Sequence, residues 1–311
     1  MRVIGAADIE GALDYGSLVE RLRQAFRGGI ATPLPQSHTI PTFTDHPGAL
    51  CLATAWQAGR RLGVRIETDF PDNTAQKLPA TMSTYMLMDA RTGRPLALID
   101  GPALTARRTA AASALAASYL ARSDAERLLV LGTGALVPHL ILAHAAVRPI
   151  GTVLIWGRDA DKASRLAKRL NRRGLKVGAT DDLAAAAAGA DIVCCATRSR
   201  EPVLRGAWLS PGVHVDLVGA VTPEAREADD DTILAARLFV DTREGVLAVG
   251  GDIRLPVAAG LLREDDIAGD LYELTGGHRA GRRFYEQITL FKSVGTPLED
   301  LAAAQLALER V

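Results

Sequence analysis

The amino-acid sequence predicts an α/β protein in two parts, a doubly wound domain and an α+β domain. Three observations predict it. From residue 127 onward, short apolar runs alternate with helix-type segments, as in a parallel sheet covered on both faces. From 32 to 100 the chain instead alternates apolar and polar residues between Pro and Gly breaks, the mark of successive strands in one sheet. Between the two, PALTARRTAAASALAASYLA (102–121) is an Ala- and Leu-rich run of strong helix propensity.

The elements follow in order. Residues 1–31 predict a short strand and then a helix over Tyr15–Phe26. TPLPQSHTIP (32–41), ALCLATAWQ (49–57), LGVRIETDF (62–70), ATMSTYMLMD (80–89) and PLALID (95–100) read as strands. MDARTGRPLAL places the last two in a hairpin across a Gly-containing turn. Beyond the long helix, RLLVLG, GTVLIWG, KVGAT, DIVCCAT, VHVDLVGA and ARLFVDT are strands. VPHLILAHAAVR, DADKASRLAKRLNRRG (159–174) and DLAAAAAGA are helices between them. The tail, ITLFKSVG and then an Ala/Leu helix, is expected to return to the first domain. The expected domains are 1–118 with 290–311, and 119–289. No internal repeat is visible.

Composition narrows the function. At 48% hydrophobic residues the chain can bury a sizeable core. The 36 Lys and Arg balance the 36 Asp and Glu, which argues against a nucleic-acid partner and for a small molecule or a second copy of the chain. Cys51, Cys194 and Cys195 read as reduced core thiols. The histidines are scattered, and His139 and His144 have the wrong spacing for one helix face, so no metal site is expected. No GxSxG nucleophile motif occurs. No secretory signal or membrane-length apolar run is seen, which makes the cytoplasm the expected compartment.

The stretch LLVLGTGALVPHLILAHA (128–145) carries the first specific signal. A strand precedes Gly132 and Gly134, a helix follows, and a second strand comes about 20 residues on. Gly132 allows the tight turn, and Gly134 lets the backbone approach a pyrophosphate. The N–H groups of the turn, through Thr133 and Ala135, then face phosphate charge. Val137 stands where a third glycine is usual, and Pro138 fits the first helical turn. The plainer alternative is a strand–helix turn with no ligand. The phosphate-binding reading makes this a Rossmann domain. Its second strand ends in Gly157-Arg158 where NAD binders usually carry an acid. Arg158, helped by Lys162, suits a 2′-phosphate and favours NADP, with NAD possible; the alternative is that Asp159 takes the ribose.

Several strings then stand together in order: GRPLALIDGPALTARRTAAASALAASYLAR, LVLGTGALVPH, CCATRSREPVL, PGVHVDLVGA, and GRRFYEQITLFKSVGTPLEDLAAA. With them the chain resembles the ornithine cyclodeaminase/mu-crystallin family over nearly its whole length. The resemblance implies a substrate-binding and dimerisation domain beside the Rossmann domain, a homodimer, and hydride chemistry at the Cα of an amino acid or its imine.

It also implies site residues. Arg108 of LTARRTAA matches the arginine that holds the substrate carboxylate, a task that suits a guanidinium; Arg107 reads as a surface neighbour. Arg65 falls where the family usually has a catalytic lysine, and shares a strand face with Glu67 and Asp69. Asp72 and Asn73 of FPDN are either substrate-binding or a plain turn. Lys292, Ser293 and Gly295 of FKSVG match the segment that closes on the nicotinamide, with Lys292 placed in the catalytic set. Thr197 ends a strand at the cofactor edge. Two departures stand out. Gln36, Ser37 or His38 replaces an upstream arginine. Val221 replaces the aspartate of ornithine cyclodeaminase, with Glu224 and Glu227 nearby. The expected activity is NAD(P)-dependent reduction of an imine or ketimine of a small amino acid, rather than ornithine cyclodeamination. The alternatives are an NADPH- and small-ligand-binding protein with little catalysis, and an amino-acid dehydrogenase running oxidatively.

Overall fold

The structure is a computed structural model that describes residues 1–171 and 175–311. In chain order it contains β1 (Arg2–Ile4), α1 (Ala6–Ala12), α2 (Tyr15–Phe26), β2 (Ile30–Ala31), β3 (Gln36–Ile40), β4 (Gly48–Gln57), β5 (Arg61–Asp69), β6 (Thr81–Asp89), β7 (Pro95–Asp100) and α3 (Gly101–Leu120). There follow β8 (Arg127–Leu131), α4 (Val137–Val147), β9 (Thr152–Trp156), α5 (Ala160–Asn171), β10 (Val177–Ala179), α6 (Leu183–Ala188), β11 (Ile192–Cys195) and β12 (His214–Leu217). The last elements are α7 (Asp230–Ala235), β13 (Arg237–Val240), α8 (Arg243–Val249), α9 (Gly251–Ala258), β14 (Gly269–Asp270), α10 (Leu271–Thr275), β15 (Thr289–Lys292) and α11 (Pro297–Arg310).

Two compact units result, 1–109 with 296–311, and 110–295. In the first, β4, β5, β6 and β7 form an antiparallel meander, extended by β1 parallel to β7 and by β2 and β3 on β4. Alternation gives the sheet two unlike faces. One turns Ala53, Ala55, Tyr85, Leu87, Ala97 and Ile99 into the core, with α2 and α11 in contact with each other and α11 lying on β4, β5 and β6. Helix α2 starts where Asp14 accepts from the Ser17 N–H and buries the stripe Leu18, Val19, Leu22, Ala25 and Phe26. The other face aligns Thr54, Val64, Met86, Leu98 and Val3 across five strands. Val3, Trp56, Ile66 and Met82 are exposed on that side.

The second unit is a parallel sheet ordered β10-β9-β8-β11-β12-β15-β13-β14. Strands β8, β11, β12 and β15 are almost wholly buried, which explains the apolar runs of β8 and β11, while β12 and β15 also bury His214, Asp216, Thr289 and Lys292. Strand β15 corrects the expected domain limits. Its residues pair with β12 and β13, so 290–292 belong to this sheet and 293–295 to the same unit, not to the first domain. Residues 110–118, also expected in the first domain, fall in the second unit with the rest of α3. The helix expected over 159–174 is α5, and the end of that prediction, 172–174, lies outside the described residues. Among the described residues no helix is long and apolar enough to cross a membrane.

Candidate active site

The glycine turn has the form expected of a phosphate cradle. Gly132 sits at φ 130°, and a Cβ there would come within 2.5 Å of the Ala196 carbonyl oxygen, so no other residue fits. A Cβ on Gly134 would meet nothing within 4 Å, so internal packing gives no reason for that glycine. Among the described residues the N–H groups of Thr133, Gly134, Ala135 and Leu136 have no acceptor, while Gly132 N–H donates to Trp156 O. Four open donors before α4 fit a pyrophosphate. Val137, in place of a third glycine, is fully buried as the first residue of α4.

At the end of β9, Arg158 and Lys162 are exposed, and neither side chain has an ion-pair partner among the described residues. Asp159, the alternative ribose ligand, instead accepts from the Lys162 N–H at 2.8 Å at the start of α5.

Further along the sheet, Thr197 gives both its N–H and its hydroxyl to Glu227 Oε1, at 2.6 and 2.9 Å. Lys292 differs from the expectation of a group acting on substrate. It is fully buried, with Nζ 3.0 Å from an equally buried Asp252. Ser293 is buried and donates its N–H to Leu217 O. Gly295, at φ 86°, and Val294 both donate to Asp241 Oδ2, at 2.6 and 2.8 Å, which fastens the FKSVG segment. Burial pushes the Asp241 carboxyl up despite those bonds. Of the two glutamates near Val221, Glu224 is exposed and Glu227 is buried; Val221 itself is 48% exposed.

In the first unit the structure brings Arg65 and Arg108 to one carboxylate. Arg108, buried at the end of the unit's portion of α3, donates from Nε to Asp300 Oδ1 at 2.8 Å and from Nη1 to Glu299 Oε2 at 2.7 Å. Its Nη2 makes no hydrogen bond among the described residues. Burial works against its charge, but Asp300 and Glu299 outweigh that and raise its pKa. Arg65 Nε lies 3.7 Å from Asp300 Oδ2 and Nη1 lies 3.8 Å from Glu67, too far for hydrogen bonds. Arg65 pairs across the sheet with Tyr85. Arg65 Nε and the Tyr85 hydroxyl are both buried without a hydrogen bond among the described residues. Burial first, then the Asp300 charge, pushes the Tyr85 phenol well up, so it stays a neutral donor. Asp300, Glu299 and Tyr85 have no assigned role in the sequence reading. The only available signal is the Glu-Asp pair behind FKSVG, since nothing in a strand pattern marks Tyr85.

The remaining candidates lie apart from this cluster. Asp72 accepts from Thr44 Oγ1 at 2.5 Å and bonds His46 Nδ1 at 2.9 Å, and Asn73 donates to Pro79 O, so both tie loops as a plain turn does. His38 is exposed on β3, and Arg107 is not a surface residue but buried, donating to Leu13 O and Glu10 O. In the second unit, His144, Cys194 and Asp216 form a fully buried group with ligand-type atoms within 4.8 Å. Its bonds are internal: His144 Nε2 lies 3.2 Å from Asp216, and the Cys194 thiol and Ser113 hydroxyl donate to the same carboxylate. Burial raises the Cys194 pKa, and the group reads as a hydrogen-bond network centred on Asp216, with His144 Nδ1 left without a partner among the described residues.

These two sets of residues can be compared with known proteins. A Delta(1)-pyrroline-2-carboxylate reductase of Colwellia psychrerythraea is 36% identical over 315 residues, covering 100% of this chain and 99% of that protein. The solved structure of Thermococcus litoralis Delta(1)-pyrroline-2-carboxylate reductase, in complex with NADH and L-proline, matches with a TM-score of 0.92. It is 33% identical, with 100% of this chain and 97% of that one covered. An archaeal alanine dehydrogenase dimer with bound NAD matches with a TM-score of 0.90 at 26% identity, covering 100% and 95%. The family model of the ornithine cyclodeaminase/mu-crystallin family matches residues 3–311, and the chain, an NAD(P)-dependent oxidoreductase, belongs to that family.

Proposed function

We propose that the protein reduces a cyclic ketimine carboxylate of the Delta(1)-pyrroline-2-carboxylate type to the corresponding α-amino acid, preferring NADPH. The observation that carries this is the convergence of Arg65 and Arg108 on Asp300, with Arg65 Nε and the Tyr85 hydroxyl left without partners. Two guanidiniums and a phenol offer donors to a substrate carboxylate, while Asp300 and Glu299 offer negative charge to an iminium nitrogen. A small zwitterion such as a protonated imine carboxylate fits both signs.

The dinucleotide, when bound, supplies the hydride. Substrate Cα accepts it, and the C=N electron pair moves onto nitrogen, so the protonated imine becomes a neutral amine without any separate proton abstraction. The chain's tasks are to hold the carboxylate and set the distance to Cα. Arg108 is oriented for this by its two buried carboxylates, and Arg65 adds a permanent charge. Thr133 to Leu136 would hold the pyrophosphate, with Arg158 and Lys162 on a 2′-phosphate. Ornithine cyclodeamination is disfavoured because Val221 supplies no base. The homodimer is assigned to the outer face of the first sheet, whose row from Thr54 to Val3 is apolar apart from the threonine.

The test follows loss of reduced-nicotinamide absorbance with Delta(1)-pyrroline-2-carboxylate, its six-membered homologue, and pyruvate plus amine, with NADPH and NADH in parallel. Turnover of a cyclic ketimine, faster with NADPH, is the expected result. NADPH binding with no turnover on any of them would replace this reading with that of a binding protein, which Arg65 in the family's lysine position favours.

A further inference from the structure

One buried side chain ties together the carboxyl ends of β11 and β12. Glu227 accepts at Oε1 from the Thr197 N–H and hydroxyl, and at Oε2 from the N–H groups of Gly219 at 2.6 Å and Ala220 at 3.2 Å. The strand ends approach so closely that a Cβ on Gly219 would run into the Thr197 backbone and come within 2.5 Å of the Glu227 carboxylate. Glu227 is itself fixed: its own N–H and that of Ala228 donate to Asp252 Oδ1, at 2.7 and 3.2 Å. The other Asp252 oxygen lies 3.0 Å from Lys292 Nζ. Glu227, Asp252 and Lys292 all have zero exposure.

The sheet does not need this group to hold its register, because β11 and β12 are already paired from Ile192–His214 to Cys195–Leu217. Burying two carboxylates with one ammonium is unfavourable. Its position suggests what the group is for. Strand order reverses between β8 and β11, and in a doubly wound fold the second mononucleotide half lies over the strand ends on the β11 side of that crevice.

Resting on the dinucleotide reading above, we propose that Glu227 is a positioning residue for the nicotinamide half of the cofactor. Its carboxylate fixes the Thr197 and Gly219–Ala220 backbone against which that half lies, and Asp252 and Lys292 are its counter-charges. Lys292 then acts through Glu227 rather than on substrate. The groups facing this carboxylate are Lys292 on β15, Asp252 on α9, and the Cys194 and Cys195 thiols on β11; Asp241, after β13, faces Lys292. Burial brings the Glu227 carboxyl up to about 7, with Asp252 adding to it, against the pull of Lys292 and the backbone N–H groups. A proton on Glu227 puts an O–H among four donors and breaks the clamp. The grip on the nicotinamide half therefore weakens as pH falls through about 7.

The experiment compares NADPH with 2′-phospho-ADP-ribose, the adenine-side fragment that keeps the pyrophosphate and lacks the nicotinamide ring, by direct binding to the wild-type protein and to Glu227→Gln, between about pH 6 and about pH 8. Both ligands carry the 2′-phosphate, so its own titration cancels in the ratio of their affinities. At the upper pH, Glu227→Gln is expected to weaken NADPH about tenfold or more while leaving the fragment unchanged. In the wild type the ratio falls on acidification, and in the variant it is flat. An unchanged NADPH affinity, or equal loss of both ligands, overturns the proposal. If Glu227→Gln does not fold, Thr197→Val, which removes one donor, and the wild-type titration decide: a flat wild-type ratio overturns it. A wild-type protein that binds neither ligand defeats the dinucleotide reading instead.

Discussion

Arg108 Nε donates to Asp300 Oδ1 at 2.8 Å, across 192 residues of sequence and within one compact unit. With Glu299 on Nη1, the guanidinium is held in a single plane, and both carboxylates are buried around it. Removing the cation leaves two buried negative charges. Arg108→Met is expected to destabilise the protein by about 3–5 kcal/mol, read as a large fall in Tm, and to abolish turnover. An unchanged Tm would mean that the pair is not buried in solution.

Arg65 behaves differently because its ion pairs are long, at 3.7 and 3.8 Å. Arg65→Met should leave Tm within about 1 kcal/mol equivalent of the wild type. KM for the ketimine should rise about tenfold or more, the effect of losing one charge-assisted contact to the substrate carboxylate. A normal KM would remove Arg65 from the substrate site.

Arg158 is exposed and carries no ion pair among the described residues, so replacing it has little structural consequence. Arg158→Ala should lower kcat/KM for NADPH about tenfold and leave NADH unaffected. The NADPH value alone should fall with added salt. Equal losses for both dinucleotides would show that Arg158 does not meet a 2′-phosphate.

His214 is fully buried, and burial takes its pKa down from 6.5 to about 3, against the pull of Asp216. A histidine kept neutral in the fold binds its proton only on unfolding. Stability from this group is complete above 6.5 and is lost as pH falls from there toward about 3. The slope approaches about 1.4 kcal/mol per pH unit in that window. His214→Gln, which retains a partner for Thr289 Oγ1, should show a shallower fall of Tm between about pH 6.5 and about pH 5. Identical slopes would locate the acid sensitivity elsewhere.

Met86 lies in the middle of the aligned row on the outer face of the first sheet, between Val64 and Leu98. A charge there should oppose burial against a second copy of the chain. Met86→Glu is expected to give a monomer by sedimentation at micromolar concentration where the wild type is a dimer. A dimeric variant would move the interface off this face.

Much of the fold was legible because its signals are local. Each strand from β3 to β7 announces itself by alternation or by turn residues, and the helix over Tyr15–Phe26 has the observed limits. The glycine turn was equally readable, since Gly132 answers a backbone need at φ 130° that other residues meet poorly. Residues 290–295 were misplaced for a physical reason, while the helix that follows them lies in the first unit as expected. A short strand such as β15, with only Leu290 and Phe291 apolar, says that it is buried, but not in which sheet. The same holds for Lys292, whose role in the sequence reading came from its place in FKSVG, while its partner Asp252 lies on helix α9.

The sequence by itself determined the two-part α/β architecture, the glycine turn between β8 and α4 and the family, because these rest on periodicity, glycine geometry and contiguous motifs. Only the tertiary structure decided which charges share a site. Ionic and hydrogen-bond partners act over about 3 Å, and chain separation does not limit them. Asp300 reached Arg108 and Arg65, and Glu227 reached Thr197 and Gly219, by folding alone.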